Sequence, residues 1–245
     1  YCQKKYLKKL NIPIPELYDV DNYCFELEKF IVKTKKGGYD GKGVWVMKSS
    51  DELSKFMLDN NVNKNDIFIE DYIEIKKELA VIAYLYKNKV CFYPIVETIQ
   101  ENGICKEVIC PTPLNSYIRK QIKHLTKRIL LDFNTKGVFA IEFLYNGDEI
   151  YVNEISPRVH NSGHYTIEAT NCSQFEQHMR SILDLECIQP KMTMSHVKMT
   201  NVLGTGKEIN KKLFNEPNFH WYHKKPNGEY YKKNRKIGHY TKKLF

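Results

Sequence analysis

Several things are missing from these 245 residues. No run of about 18 apolar residues occurs, so no segment is expected to span a membrane. No basic-then-apolar leader pattern opens the sequence either. None of the seven cysteines, at positions 2, 24, 91, 105, 110, 172 and 187, forms a C-x-x-C pair, and no Cys–His spacing fits zinc. Their odd number and scatter fit reduced thiols in a cytoplasmic protein better than a secreted disulfide framework. There is no G-x-G-x-x-G and no regular strand–helix alternation, which argues against a doubly wound dinucleotide fold. Internal repeats and low-complexity segments are absent as well. An initial Met is also missing, and one or both ends are expected to be cut.

What is present is enough for a packed core: 42% hydrophobic residues, with 17 Tyr and 12 Phe. Lys and Arg number 38 against 29 acids, a net charge of +9. The basic residues cluster, as in Lys4-Lys5, Lys8-Lys9, Lys224-Lys225 and Lys232 to Lys236. Such an excess suits either nucleic acid or a small acidic ligand. Periodicity predicts a short basic helix over 2–10 with Tyr6, Leu7 and Leu10 on one side. Strands follow at 28–33 and 44–47, with a helix capped by Ser50-Asp51 over 50–60. Further strands are predicted at 66–72, 78–86 and 90–96, and a helix at 115–134 carrying Tyr117, Ile118, Ile122, Leu125, Ile129 and Leu130. A hairpin over 137–155, a helix over 174–183, a strand over 195–203 and a basic, aromatic tail over 219–242 complete the pattern. The class is α+β with mainly antiparallel strands.

Four constellations carry chemistry. Between the first two strands lies Lys35 to Gly43 (KKGGYDGKG). Its glycines let the backbone approach a ligand and expose N–H groups, and Lys33 and Lys42 could hold polyphosphate. Taken alone it reads equally as a hairpin tip with solvated lysines. Next, Glu142 and Glu154 sit inside apolar strands joined by a tight turn. Facing each other they would repel unless a cation lay between them, and a hard cation such as Mg²⁺ fits. Asn153 could add an oxygen only if its side chain turned inward. The stretch from Ile155 to Glu168 packs Arg158, His160, Asn161, Ser162, His164 and Thr166 closely after that strand. Polar density of this kind is costly to bury without a use. Arg158 suits a phosphate or carboxylate, and the histidines suit proton transfer. Last, the strand ending at Glu70, Asp71, Tyr72 and Ile73 leaves into a linker, with Glu78 beyond. It has the form of an adenine-facing backbone followed by an acid for ribose hydroxyls.

In family order along nearly the whole chain, KKGGYDGKG (35–43), Asn153 to Thr166 (NEISPRVHNSGHYT), SQFEQH (173–178) and RKIGH (235–239) resemble ATP-grasp ligases. Within these the sequence is similar to the N5-carboxyaminoimidazole ribonucleotide synthases of purine biosynthesis. The resemblance implies an ATP-grasp domain over 1–185, built of two α+β subdomains with antiparallel sheets. A small β-rich C-terminal domain over 186–245 and a missing N-terminal α/β domain are also implied. ATP would meet Lys33, Gly38, Tyr39, Asp40, Gly41, Lys42, Gly43 and Val44. Glu70, Asp71, Tyr72 and Ile73 would face adenine, with Glu78, Gln100, Asn153 and Glu154 completing the nucleotide contacts. Mg²⁺ would sit on Glu142 and Glu154. Arg158, His160, Tyr39 and Lys42 would be catalytic, and Arg158, His160, Asn161, Ser162, Arg235 and Lys236 would bind 5-aminoimidazole ribonucleotide. The implied reaction joins that ribonucleotide to bicarbonate through carboxyphosphate. Both the nucleotide and the ribonucleotide are phosphorylated, so the basic balance needs neither nucleic acid nor membrane. The family suggests a homodimer. Lys42 stands where the family often has Arg, and Gln100 where it often has His. An ATP-grasp ligase for another substrate, and a non-catalytic ATP-binding remnant, remain the alternatives.

Overall fold

The computed structural model describes residues 1–22, 28–38, 41–226 and 228–244. They divide into two compact units, Tyr1–Lys76 with Phe143–Glu154, and Lys77–Glu142 with Ile155–Phe245.

The first unit opens with helix α1 (Cys2–Lys9) and continues through β1 (Leu17–Tyr18), β2 (Phe30–Thr34), β3 (Val44–Met47), α2 (Ser50–Asp59) and β4 (Ile67–Asp71). Its strands form an antiparallel sheet in the order β1-β4-β2-β3. Phe30, Val32, Met47, Leu53, Ile67 and Ile69 make the core, and Trp45 packs on Phe56 with ring centroids 4.6 Å apart. The cap of α2 lies one residue earlier than expected. The Ser49 hydroxyl accepts from the Glu52 N–H at 3.1 Å, and the Glu52 carboxylate reaches back to the Lys48 N–H at 2.8 Å. The α1 face also differs from expectation. Leu7 is buried, but its partner on that face is Lys4, while Tyr6 is 38% exposed.

The second unit holds β5 (Lys77–Tyr86), β6 (Lys89–Phe92), β7 (Val96–Glu101), β8 (Ile104–Cys110), α3 (Ser116–Phe133), α4 (Thr166–Ala169), α5 (Gln174–Ile182), β11 (Val197–Leu203), β12 (Phe219–Trp221) and β13 (Lys236–Lys243). The hairpin β9 (Val138–Tyr145) and β10 (Ile150–Ser156) has residues in both units. The sheet runs β10-β9-β5-β7-β8-β11-β13-β12, with β6 pairing β5. The expected strand over 90–96 is broken. Phe92 ends β6, Pro94 interrupts, and Val96 starts β7, because proline offers no ladder donor. Strands β7 and β8 pair across Asn102 and Gly103, both with positive φ (53° and 72°), a turn signal that the sequence reading passed over. Ile118, Ile122, Leu125, Ile129 and Leu130 are buried on α3 as expected, but Tyr117 is 62% exposed. Among the described residues three tyrosines are fully buried, and their hydroxyls donate to backbone carbonyls: Tyr84 to Ile188 at 2.7 Å, Tyr93 to Cys172 at 2.9 Å and Tyr165 to Pro94 at 3.3 Å. Trp221 packs edge-on against Tyr231 with centroids 5.3 Å apart. Among the described residues no helix is long and apolar enough to cross a membrane.

Candidate active site

Lys33 is the last residue but one of β2, and the ladder to β4 puts Ile31 opposite Glu70 and Lys33 opposite Phe68. The Lys33 ammonium lies 2.6 Å from Glu70 Oε2 and donates to Asn153 Oδ1 at 3.1 Å. Glu70 is 1% exposed, and its second oxygen, Oε1, lies 3.0 Å from the Lys4 ammonium. Burial alone would raise the Glu70 carboxyl, but Lys33 and Lys4 bring it below the ordinary carboxylate range. Burial lowers Lys4 to about 8 against the pull of Glu70. The sequence reading missed Lys4, taking α1 for a basic surface helix. The available signal was its position three residues before buried Leu7, on the same helical face. The Asn153 side-chain oxygen is thus engaged by Lys33.

The glycine loop between β2 and β3 is closed by the Thr34 N–H donating to the Gly43 carbonyl at 2.9 Å. Gly37, Gly41 and Gly43 hold φ values of 77°, 73° and 77°, which side chains rarely adopt. Gly38, Lys42 and Val44 belong to this loop or its exit strand, and Lys42 and Val44 are exposed. Tyr39 and Asp40 lie outside the described residues. Asp71 ends β4 with its N–H on the Glu16 carbonyl at 3.1 Å. Tyr72 and Ile73 follow outside any strand or helix and half-buried, and the Lys29 ammonium sits 3.5 Å from the Tyr72 ring centroid. In the second unit Glu78 stands opposite Thr98 across the β5–β7 ladder. Gln100, two residues on along β7, donates to Thr98 at 3.4 Å. The strand period therefore puts Glu78, Thr98 and Gln100 on one face.

Glu142 on β9 and Glu154 on β10 belong to one hairpin, and His160 follows six residues after Glu154. Their ligand atoms lie within 4.8 Å of one another. His160 Nε2 is 3.8 Å from Glu142 Oε1. Two carboxylates at this spacing suit a hard cation with oxygen ligands, so the donor set fits Mg²⁺.

The loop bearing His160 is fixed by a residue to which the sequence reading gave no role. The Gln174 amide accepts from the His160 N–H at 3.0 Å, donates to the His160 carbonyl at 2.7 Å and meets His164 Nδ1 at 3.0 Å. Gln174 is fully buried. A Cβ at Gly163 would lie 2.5 Å from its Oε1 and 2.8 Å from Ile82, so only glycine fits there. Ser162 is buried with its hydroxyl 2.9 Å from His160 Nδ1. Asn161 exchanges amide hydrogen bonds with Asn201 of β11, at 2.8 and 2.7 Å. Arg158 and Arg235 are exposed and donate to the carbonyls of Val159 and Lys225. Lys236 opens β13 and is half-buried. Behind the loop, His164 and His239 lie 4.8 Å apart, and His220 stacks on His239 at 4.7 Å. Tyr222 Oη meets His239 Nδ1 at 2.8 Å, and His220 Nε2 meets Glu168 Oε1 at 2.5 Å. Burial, with histidine neighbours, lowers His164 to about 3 and His239 to about 4.

The model of the ATP-grasp domain family matches residues 5–175. The chain belongs to the ATP-grasp family. Its relatives there include N5-carboxyaminoimidazole ribonucleotide synthase of Haemophilus influenzae, 34% identical over 98% of this chain and 66% of the relative. Phosphoribosylaminoimidazole carboxylase of Candida glabrata is 34% identical over 98% of this chain and 45% of that protein. The crystal structure of carboxyaminoimidazole ribonucleotide synthase from Aspergillus clavatus complexed with ATP superposes with a TM-score of 0.84. It is 30% identical, covering 99% of this chain and 67% of the other. The ATP-grasp resemblance read from the glycine loop and the Asn153–Thr166 stretch is thus borne out, as is the antiparallel α+β class. The chain spans about half to two thirds of the length of these curated relatives.

Proposed function

We propose that this chain is the ATP-grasp part of an enzyme that carboxylates 5-aminoimidazole ribonucleotide at the expense of ATP. The observation that carries the reading is the acidic pair Glu142 and Glu154, immediately followed by the clamped His160 loop. In this reading the bicarbonate oxygen attacks the γ-phosphorus of ATP, ADP leaves, and carboxyphosphate forms. Loss of phosphate yields CO₂, which the exocyclic amine of the ribonucleotide attacks to give the N5-carbamate.

Mg²⁺, held by Glu142 and Glu154, would neutralise charge on the transferring phosphate oxygens. Lys33, fixed by Glu70 and Asn153, and the backbone of Gly38, Gly41 and Gly43 would bind the phosphates. Tyr39, Asp40, Lys42 and Val44 belong to the same loop, whose closure would exclude water from a labile acyl phosphate. Asp71, Tyr72 and Ile73 offer backbone to the base, and Glu78 and Gln100 offer polar groups to the ribose. Arg158, His160, Asn161, Ser162, Arg235 and Lys236 would hold the ribonucleotide and bicarbonate. The structure of the Aspergillus clavatus enzyme in complex with ADP and 5-aminoimidazole ribonucleotide, 29% identical with a TM-score of 0.82, supports the choice of substrate. The reading assigns 1–185 to the ATP-grasp domain and 186–245 to a small C-terminal domain. It places the protein in the cytoplasm, in keeping with the free thiols of the described cysteines, and, from the family resemblance alone, as a homodimer.

The deciding measurement is ADP release with ATP, Mg²⁺ and bicarbonate, with and without 5-aminoimidazole ribonucleotide. Stimulation by the ribonucleotide is expected, and its absence overturns the substrate assignment. Glu154→Gln should cut ADP release about a hundredfold or more with an unchanged circular dichroism spectrum. Unchanged turnover in that variant would remove the metal assignment.

A further inference from the structure

Lys4 is not among the groups to which the proposed chemistry assigns a task, yet its placement is unusual. It is a lysine on an eight-residue surface helix, with a side chain only 6% exposed. An ammonium taken out of water costs several kcal/mol unless it is compensated. Two compensations are present. The Lys4 Nζ lies 3.0 Å from Glu70 Oε1, and it donates to the Val152 carbonyl at 3.2 Å.

Both contacts bear on Lys33. Among the described residues its ammonium has two acceptors, Glu70 Oε2 at 2.6 Å and Asn153 Oδ1 at 3.1 Å. Lys4 holds the other oxygen of that same Glu70 carboxylate. It also holds the carbonyl of the residue directly before Asn153. Each anchor of Lys33 is therefore tied to Lys4, one through a carboxylate and one through the β10 backbone. The charge count points the same way. One buried carboxylate serves two ammonium groups, and the triad keeps a net positive charge. With Lys4 on Oε1, Glu70 cannot draw Lys33 into a two-oxygen pair, so the more exposed cation, at 19%, stays partly unneutralised. That surplus is what a polyphosphate would meet.

We propose that Lys4 is a positioning residue for Lys33, setting through Glu70 and the Val152–Asn153 backbone where the phosphate-binding ammonium stands. This rests on the ATP reading above. Lys4 touches no reacting atom in that reading, and its effect should be felt through Lys33 alone.

The test is a double-mutant cycle on the whole chain, with titration calorimetry of Mg-ATP and of adenosine. Lys4→Met replaces the ammonium by an apolar group of similar length and leaves Glu70 paired with Lys33. It should weaken ATP binding roughly tenfold and leave adenosine affinity unchanged. In a Lys33→Met background the same substitution should cost almost nothing further. If Lys4→Met loses a cooperative melt, Lys4→Gln, which keeps a donor without the charge, takes its place in the cycle. Equal losses for ATP and adenosine would reveal a general structural role and overturn the proposal. Additive losses in the two backgrounds would overturn it too. Failure of the unsubstituted chain to bind ATP would overturn both this inference and the reading beneath it.

Discussion

His239 is 2% exposed, its Nδ1 engaged with the Tyr222 hydroxyl and its ring between those of His164 and His220. Burial first, then the His220 charge, hold its pKa at about 4 against an ordinary 6.5. The unfolded chain therefore takes up the proton first. Above about pH 6.5 the group is neutral in both states; as pH falls from there toward 4 the unfolded state is favoured increasingly, by a few kcal/mol at the lower end. Urea denaturation should show stability falling over that window. In His239→Gln, which keeps a hydrogen-bonding group toward Tyr222, the fall should be shallower; an identical slope would mean that His239 is not held neutral. At this scale the sequence was legible where chemistry and spacing coincide. Glu142, Glu154 and His160 could be picked out from strand, turn and loop. Gln174 could not, because its significance comes from a backbone clamp, and for Lys4 the helical face shared with Leu7 hints at burial but not at a partner 66 residues away.

Helices α2, α3 and α5 each start at a side chain that stands just outside them and accepts from their first turn. Asn115 precedes α3, and its Oδ1 accepts from the Ile118 N–H at 2.8 Å. Asn134 ends the helix in the left-handed region, with φ 42°. Asn115→Ala removes the cap without touching the apolar face and should cost about 1 kcal/mol, read as a lowered urea midpoint at constant slope. No change would mean that water or a neighbouring backbone carries the cap. Element type was readable from periodicity in α3 and in the β9–β10 hairpin, where apolar residues recur at the right interval. It failed between residues 90 and 110, where the broken β6 and the β7–β8 hairpin follow each other. There the apolar run of β6 passes through Pro94 without a polar gap, and only the Asn102-Gly103 turn marks the second hairpin.

Six described cysteines are free, three of them buried: Cys105, Cys110 and Cys172. Cys110 is pushed up to about 12, chiefly by burial, and so carries little thiolate. Melting curves with and without dithiothreitol should therefore coincide. A drop of several degrees on reduction would reveal a disulfide and count against the cytoplasmic assignment. At the scale of the molecule, the order of motifs along the chain was the informative signal, since the family match spans 5–175. The assignment of β11, β12 and β13 to the same sheet as β5 was not readable, because pairing across nearly a hundred residues leaves no local trace.

The chain has two tryptophans, and they fall one to each unit. Trp45 lies against Phe56 in the first, and Trp221 lies among Phe214, Phe219 and Tyr231 in the second. Each half of the protein thus has its own built-in fluorophore. Trp221→Phe leaves an emission signal that reports the half with the glycine loop, and Trp45→Phe leaves one that reports the half with the histidine cluster. Changes around the glycine loop and around the histidine cluster could then be timed separately in a stopped-flow instrument, without attaching a dye.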